Sequence, residues 1–257
     1  MPGGLYASYA SPRMCANYTP PKPAGIKAAF GLDAPASYPD ETYPGHFAPI
    51  VRLADDDSDE WDCVNASFGM VPAWAELKLS RHTYNARSET VASKPSFRHA
   101  YAKRQLCIIP AESFFEPSYE SGRAVRWKIS RADHALLGIA GLWEWRPNGG
   151  IDDQPLLSFT MLTINADTHP LMKRFHRPED EKRMLVLLEP AQYQAWLHAT
   201  PDRIGEFLQP CPAEQLIAEP SPRIARPPAR TASRPPKAVP RSATRIAPVT
   251  PSLWDED

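Results

Sequence analysis

Short runs of apolar or alternating residues recur through the middle of the chain, with turn residues between them. Runs of this length favour strands, because a helix needs a longer pattern that repeats every three to four residues. The pattern predicts five strands: Leu106–Ile109, Val125–Ile129, Ala135–Leu142, Leu156–Ile164 and Met184–Leu188.

Three segments have the features of short helices, namely Lys22–Phe30, Pro190–His198 and Thr200–Leu208. The second begins with proline at a first-turn position, and the third begins with threonine before proline. Residues 31–60 are predicted to be rich in loops. Because strands outnumber helices and do not alternate regularly with them, the sequence predicts an α+β fold. Its centre is a mixed, mostly antiparallel, barrel-like sheet with flanking helices.

Composition divides the 257 residues into three parts. Apolar residues make up 42%, which is enough to bury a sizeable core. Nine of the 30 prolines lie in residues 220–257, together with seven Lys or Arg residues. We predict a leader over residues 1–13 that the mature protein lacks, a folded domain over residues 14–219, and a Pro-rich, basic, disordered tail over residues 220–257.

The net charge of −1 hides an asymmetry, since the tail carries +4 and residues 14–219 carry −6. A nucleic-acid site in the folded domain would therefore need a local basic cleft. The sequence also has an acidic cluster, for which a solvated loop is predicted, because the spacing and the glycine of a calcium loop are missing. The cluster consists of Asp55, Asp56, Asp57, Asp59 and Glu60.

Other classes of protein are disfavoured. The four cysteines lie far apart without a C-x-x-C pair, which argues against a zinc ribbon or a disulfide scaffold and fits a reducing cytoplasm. No apolar run is long enough for a membrane span, and the first residues do not form a secretion signal. Common nucleotide, serine-hydrolase and zinc-protease motifs are missing. We predict a cytoplasmic monomer without cofactor, metal or membrane partner.

Cys15 follows Met14 and would become N-terminal if translation began at Met14. An N-terminal cysteine joins a thiol to an α-amine of pKa ~8, much of which is unprotonated near neutral pH. Together these groups can capture an aldehyde and close a thiazolidine ring, or the thiol can attack an amide. The alternative is an inert cysteine near a mobile terminus.

Two further strings carry polar candidates. In the string Asn85–Thr90, Asn85 and Arg87 point to the same side of an extended segment. Arginine suits a phosphate and asparagine a polar anchor, although Arg87 could simply pair with Glu89. The string Phe68–Trp74 could simply be a turn in which the aromatic side chain of Trp74 is packed.

Glu116 and His176 are candidates for proton transfer. Glu116 lies between Phe115 and Pro117. Apolar surroundings there would raise its pKa and make it a general acid–base near neutral pH, unless an arginine satisfies it. His176 could shuttle a proton, or it could be an ordinary surface histidine. Cys107, inside an apolar run, is predicted to belong to the core.

In order along the chain, these strings resemble the SRAP family, the SOS-response-associated peptidase or abasic-site-processing proteins. The resemblance runs from about Met14 to Trp196. It rests on six strings: Met14-Cys15, Phe68–Trp74, Asn85–Thr90, Cys107–Pro117, Ala140–Trp143 and His176–Met184.

The resemblance implies an enzyme that binds single-stranded DNA and captures abasic sites, whose ring-opened sugar exposes an aldehyde. The N-terminal cysteine would form a Schiff base and then a stable thiazolidine crosslink. The family is also credited with autoproteolytic removal of the initiator Met and with a weak lyase tendency. These activities belong to the response to DNA damage.

The resemblance also implies roles for individual residues. Cys15 would be the crosslinking nucleophile and Asn85 would position the sugar. Glu116 would assist ring opening and proton transfer, and His176 would handle protons at the Schiff base. The residues implied in DNA binding are Arg87, Trp74, Arg177 and Arg183.

The chain departs from the family pattern in four places. Thirteen residues precede Met14, and they must be absent for Cys15 to have a free amine. Asn17 stands where an arginine is common, so that one expected phosphate contact is gone. Pro117 stands where a tryptophan is usual, and Phe68 is the first aromatic of its string. Extra residues separate His176 from Arg183, which leaves open whether Arg177 or Arg183 binds DNA.

Two other functions fit the same residues. One is an N-terminal-nucleophile cysteine peptidase without DNA chemistry, and the other is a non-catalytic module that binds single-stranded DNA. The tail could be a plain disordered extension or a tether that binds phosphates. Its ending Pro251–Trp254, followed by acids, could dock on a replication partner.

Overall fold

The computed structural model describes residues 15–55 and 59–222. The predicted leader, and the predicted tail beyond Pro222, lie outside the described residues. In chain order the elements are β1 (Tyr18–Thr19), α1 (Pro23–Phe30), β2 (Phe47–Leu53), β3 (Trp61–Phe68), β4 (Asn85–Arg87), α2 (Arg98–Ala102), β5 (Leu106–Ala111), β6 (Ser113–Ser118), β7 (Val125–Arg131), β8 (Leu137–Arg146), β9 (Leu156–Asn165), β10 (Arg183–Leu185), β11 (Leu187–Leu188), α3 (Tyr193–Leu197) and β12 (Leu216–Pro220).

Five of these strands close into a barrel in the order β3-β2-β5-β8-β9, with β9 pairing again with β3. All pairs in the barrel are antiparallel except β3 with β9, and β4 also joins β9 in parallel. A second, antiparallel sheet has the order β1-β6-β7-β12. The predicted mixed, mostly antiparallel, barrel-like fold is therefore confirmed.

The barrel interior is closed by aromatic and aliphatic side chains. The rings of Phe68 and Phe159 stack at 5.1 Å, and Tyr18 meets Phe68 edge-on at 5.5 Å. The indole N–H of buried Trp196 donates to the carbonyl oxygen of Cys107 at 2.9 Å. Cys107 is fully buried, so its predicted place in the core is confirmed.

Gly69 turns the chain from β3 into the segment that leads to β4. Its φ is +105°, and a Cβ there would lie 2.2 Å from the carbonyl oxygen of Ser80. Only glycine therefore allows this close approach, since any side chain would clash with backbone. The turn matters for the site because β4 carries Asn85 and Arg87.

Several predicted elements are confirmed, and one strand is divided. The predicted run Met184–Leu188 breaks at Val186, whose N–H donates to Leu162 while its carbonyl accepts from Ala140. Before the break, β10 pairs with β9, and after it β11 pairs with β8. Helix α3 falls inside the predicted Pro190–His198, after one turn of 3₁₀ helix.

Other elements were not predicted. Strand β2 lies inside the segment 31–60, which was predicted to be rich in loops. The strand was not predicted because Pro49 lies within it, and proline argues against a strand. Strands β3, β6 and β12 carry polar residues or proline that mask their pattern. The predicted helix Thr200–Leu208 is wrong, since only a 3₁₀ turn forms at Ile204–Phe207, in a segment weakened by Gly205. Among the described residues, no helix has the length and apolar character needed to cross a membrane.

Candidate active site

Cys15 is the first described residue and is only 2% exposed. Its backbone N–H donates to Oε1 of Glu116 at 3.1 Å. Its thiol is 3.6 Å from the carbonyl oxygen of Asn17, which also accepts the backbone N–H of Phe115. Cys15 is therefore held against β6 through its nitrogen, while its thiol bonds within its own segment, and it is not the loosely placed terminal cysteine of the alternative interpretation.

Glu116 lies on β6 with its side chain directed into the molecule, and it is 2% exposed. Burial raises the pKa of its carboxyl group well above the usual value, and the hydrogen bond from Cys15 only partly opposes this. Its Oε2 has no hydrogen-bond partner within the described residues. A buried carboxyl group of this kind is protonated at a pH where an exposed one would be ionised, as an acid catalyst requires.

His176 lies on the other side of Glu116. Its Nδ1 is 3.7 Å from Oε2 of Glu116, and its Nε2 is 3.3 Å from the carbonyl oxygen of Arg183. The carbonyl can only accept, so Nε2 carries the proton and Nδ1 faces the carboxyl group as a base. Burial lowers the pKa of the imidazole, which favours its neutral form. A small approach of the two groups would allow a proton to pass between them.

The backbone places His176 in the left-handed region, with a φ of +64°. Its N–H donates to the carbonyl oxygen of Pro117 at 2.8 Å, and Phe175 forms an isolated bridge with Ser118. Such a φ is uncommon for residues other than glycine and is often found at functional sites. The chain around His176 is thus fastened to the end of β6 that carries Glu116.

Asn85 approaches Cys15 from the barrel. Strand β4 pairs with β9, where Asn85 lies opposite Met161. The Nδ2 of Asn85 donates to the carbonyl oxygen of Cys15 at 3.3 Å, while its Oδ1 is buried and has no partner among residues 15–55 and 59–222. An acceptor oxygen is therefore available beside the cysteine.

The four residues predicted for catalysis thus come together from four separate segments. Burial and the neighbouring Glu116 raise the pKa of the Cys15 thiol well above its usual value. The raised pKa favours the neutral thiol over the thiolate in this environment. For an aldehyde substrate, this favours attack by a nitrogen nucleophile first, with the thiol following.

The arginines predicted to bind DNA have different environments. Arg183 is 2% exposed and its guanidinium binds Glu89 and Glu181, each at 2.8 Å, and the backbone oxygen of Thr163. This buried position braces the strand beside His176 and leaves no exposed guanidinium for the predicted DNA contact. Arg87 is half-exposed and binds Glu181 at 2.7 Å, so that the predicted alternative pair with Glu89 does not form.

The remaining two predicted DNA-binding residues lie at the surface. Trp74 is 66% exposed in the turn that Ala75 closes on Pro72, so its side chain is not the packed aromatic of the alternative. The side chain of Arg177 is 62% exposed and lies over the ring of Tyr119 at 5.9 Å. Both side chains are placed to meet a ligand from solvent.

Sequence reasoning missed a polar cluster next to the cysteine. One oxygen of Glu41 accepts hydrogen bonds from the side chains of Asn17, Tyr43 and Arg126. The alternation of β7 could have indicated Arg126, because Trp127 and Ile129 point to the other face of that strand. Glu41 and Tyr43 lie in the segment predicted as loop and gave no local signal.

Other polar side chains in the described structure have structural roles. The ring of His169 accepts the backbone N–H groups of Leu171 and Met172 and contacts the carbonyl oxygen of Cys211 at 2.9 Å, which fixes it in a loop. Asp55 of the acidic cluster binds Arg52 through both oxygens, whereas Asp56 and Asp57 lie outside the described residues. In the described part of the chain, no three His, Cys, Asp or Glu side chains form a metal site.

Comparison with known proteins shows which proteins this chain is similar to. The family model described as "SOS response associated peptidase (SRAP)" matches residues 14–224, which include the whole candidate site. Abasic site processing protein YoaM of Bacillus subtilis is 32% identical over 157 residues, covering 59% of this chain and 64% of the relative. Abasic site processing protein HMCES of Gallus gallus is 27% identical over 135 residues, covering 44% of this chain and 40% of the relative. The matches thus span less than two thirds of these relatives.

Solved structures have the same fold. A crystal structure of a protein from Bordetella bronchiseptica is 36% identical, with a TM-score of 0.73, and the match covers 80% of this chain and 99% of that one. A protein from Bacteroides thetaiotaomicron is 20% identical, with a TM-score of 0.68, covering 79% of this chain and 90% of that one. The second likeness concerns the fold alone.

Proposed function

Because the chain belongs to the SOS response associated peptidase (SRAP) family, we propose that it captures abasic sites in single-stranded DNA by a covalent bond to Cys15. The relatives YoaM and HMCES are named abasic site processing proteins. The observation that carries the proposal is the placement of the Cys15 nitrogen, 3.1 Å from a buried carboxyl oxygen of Glu116. In this proposal the nitrogen becomes a free amine when the preceding residues are removed.

The proposed capture has two steps. The amine of Cys15 attacks the aldehyde carbon of the ring-opened sugar, and loss of one water leaves an imine. The thiol then adds to the imine carbon, its proton passes to the nitrogen, and a thiazolidine ring closes. The order suits a neutral thiol, since burial raises the pKa of Cys15, and the sequence of steps needs no oxidant or reductant.

The neighbouring side chains supply the proton transfers. Glu116, protonated because it is buried, donates to the ring oxygen of the sugar and then to the departing water. His176, with Nδ1 facing that carboxyl group, accepts the proton that the amine loses as the imine forms and passes it to Glu116. The unpartnered Oδ1 of Asn85 accepts from a sugar hydroxyl and orients the aldehyde toward the amine.

We assign the release of residues before Cys15 to the same site. The thiol attacks the carbonyl carbon of Met14, its proton passes through the Glu116 carboxyl group to the Cys15 nitrogen, which leaves as the amine, and water hydrolyses the resulting thioester. The hydrogen bond between Glu116 and the Cys15 nitrogen supports this route. The imine formed during capture also allows a weak lyase reaction, in which a base removes the proton on the carbon next to the imine carbon and the 3′ phosphate leaves before the ring closes.

Single-stranded DNA is the proposed substrate because the described surface presents both cations and an exposed aromatic side chain. Arg87 and Arg177 are exposed enough to contact phosphates, and Trp74 offers a stacking surface. We propose a monomer that acts in the cytoplasm as part of the response to DNA damage. A tether or replication contact through residues 220–257 belongs to the same proposal.

Denaturing electrophoresis tests the proposal. A uracil-containing single strand, treated with uracil glycosylase, is mixed with protein that begins at Met14. A heat-stable shifted band is expected from the wild type and from Cys63→Ala, a control on β3, but not from Cys15→Ala. A band that survives Cys15→Ala contradicts the proposal.

Two other functions predict different results. A cysteine peptidase without DNA chemistry would cleave peptides and form no band with abasic DNA. A non-catalytic binding module would bind the strand equally well with and without Cys15 and would never form a heat-stable adduct.

A further inference from the structure

Two of the arginines predicted to contact phosphates are already engaged by carboxylates. Arg183 is buried against Glu89 and Glu181, and Arg87 binds Glu181 as well. Asn17, two residues from the reactive cysteine, carries no charge. If the site binds an anionic strand, a cation next to Cys15 would stabilise the phosphate nearest the nucleophile, and Asn17 does not supply that cation.

Arg126 lies at that place. On the β6–β7 hairpin it is opposite Pro117, the residue after Glu116. Its guanidinium carbon lies 3.4 Å from the centre of the Phe115 ring. Phe115 in turn donates its N–H to the carbonyl oxygen of Asn17, which also contacts the thiol of Cys15. One residue thus separates the cation from the segment that carries the nucleophile.

The guanidinium of Arg126 is held in place but its donors are not used up. Nη2 donates to Glu41, which also accepts from Asn17 and Tyr43, while Nε is buried and has no hydrogen-bond partner in the described structure. Stacking on Phe115 fixes the plane of the group. A planar, oriented guanidinium with a spare donor suits a phosphate, to which arginine can donate two parallel hydrogen bonds.

We propose that Arg126 binds the phosphate next to the captured abasic sugar, with Glu41 as the carboxylate that this phosphate displaces. The inference rests on the proposed function and names the residue that positions its substrate. Every abasic sugar in a strand is flanked by phosphates, so a cation beside Cys15 meets one of them when the aldehyde reaches the amine. Glu41 keeps Arg126 and Asn17 in place while no strand is bound. A ligand must compete with this carboxylate for the guanidinium, and neutral or weakly charged ligands do not.

The test measures non-covalent binding, so that it does not depend on the crosslink. Full-length protein is titrated with a labelled single strand that contains tetrahydrofuran, an abasic analogue without an aldehyde, at several salt concentrations. Arg126→Gln is expected to weaken binding about tenfold and to reduce the dependence of log K on log salt by about 0.7, the value for one phosphate contact on a single strand. Arg126→Lys is expected to recover part of the affinity.

Lys128→Gln is the matched control, because Lys128 is two residues along the same strand, on the same face, and pairs with Glu219 at the surface. We expect it to change the affinity less than about twofold, in keeping with a charge outside the site. Equal losses from Arg126→Gln and Lys128→Gln overturn the proposal, even if the wild type still crosslinks abasic DNA.

Glu41→Gln provides a second test that does not remove the arginine. It is expected to strengthen binding, and the gain must disappear in the double variant with Arg126→Gln, because only the guanidinium is released. If Glu41→Gln leaves the affinity unchanged while thermal unfolding shows a folded protein, the Arg126–Glu41 pair is purely structural and the proposal is wrong.

Discussion

The backbone nitrogen of Cys15 donates to Oε1 of Glu116 across a sequence separation of 101 residues. The contact joins the start of the described chain to the middle of strand β6. It brings a nitrogen that can become an amine to a carboxyl group whose pKa is raised by burial. The stability and the chemistry of the protein are therefore coupled at this one pair.

The buried carboxyl group of Glu116 predicts a pH dependence of stability. Its pKa is raised in the folded state, so the unfolded chain loses this proton at a lower pH than the folded one does. The contribution is fully present below the unfolded pKa of about 4.3 and is lost as the pH rises through the folded pKa, at about 1.4 kcal/mol for each pH unit between them.

Glu116→Gln keeps a neutral side chain of the same shape at every pH. We therefore expect the variant to be more stable than the wild type near pH 7 and to match it near pH 4. Urea denaturation across this range measures the difference. A constant difference between the two proteins over the whole range would show that Glu116 does not titrate as its burial requires.

Asn85 is expected to affect the reaction more than the binding of DNA. Asn85→Ala removes the donor to the Cys15 carbonyl and the free Oδ1, so the aldehyde is less well oriented. Misplacement of reacting groups costs up to about 100-fold in rate, and we expect a loss of 10- to 100-fold in single-turnover crosslinking. Affinity for the tetrahydrofuran strand should change less than about twofold. A loss confined to affinity would contradict the positioning role.

Substitution of Arg183 is predicted to affect the stability of the fold, and substitution of Arg87 the binding of DNA. Arg183→Gln removes a buried guanidinium together with its bonds to Glu89 and to the carbonyl oxygen of Thr163, and it should destabilise the fold by about 1–3 kcal/mol. Arg87→Gln, which removes a half-exposed pair, should cost less than about 1 kcal/mol but weaken binding to DNA. Chemical denaturation of both variants measures their stability, and titration with the single strand measures their affinity for DNA. The reverse pattern would return the phosphate contact to Arg183.

The basic tail is predicted to act as a tether. Ser221 donates its N–H to the carbonyl oxygen of Arg126, so a deletion should begin after Pro222 and spare strand β12. Removal of residues 223–257 is expected to weaken salt-sensitive binding while leaving crosslinking at saturating DNA unchanged. Identical affinity of the two proteins at low salt would exclude a tether.

The residues that the sequence singled out lie together in the structure, whereas several strands of the sheet were not predicted. Cys15, Asn85, Glu116 and His176 stand in distinctive strings, and the structure brings them together. Strand β2 was missed because Pro49 breaks the expected pattern, and its partner β3 is half polar. Burial in a closed barrel, which no local pattern encodes, is what makes these segments strands.

The sequence also could not predict which arginines form ion pairs and which are free to contact DNA. Whether an arginine faces DNA or a carboxylate depends on contacts between residues far apart in sequence, as between Arg183 and Glu89 or Arg126 and Glu41. The sequence supplies the charges, but only the fold decides how they pair. Arg126 became a candidate once the register of β6 and β7 placed it beside the reactive segment.

The most direct test of the account is the mass of the adduct between abasic DNA and protein whose N-terminus has been verified as Cys15. We predict an N-terminal peptide that carries the sugar on Cys15 with the loss of one water and that is stable to heat without borohydride. Cys15→Ser, which keeps the amine but lacks the thiol, should give only an adduct that borohydride must trap. An adduct on a lysine, or none at all from folded protein with a free Cys15, would contradict covalent capture by this site.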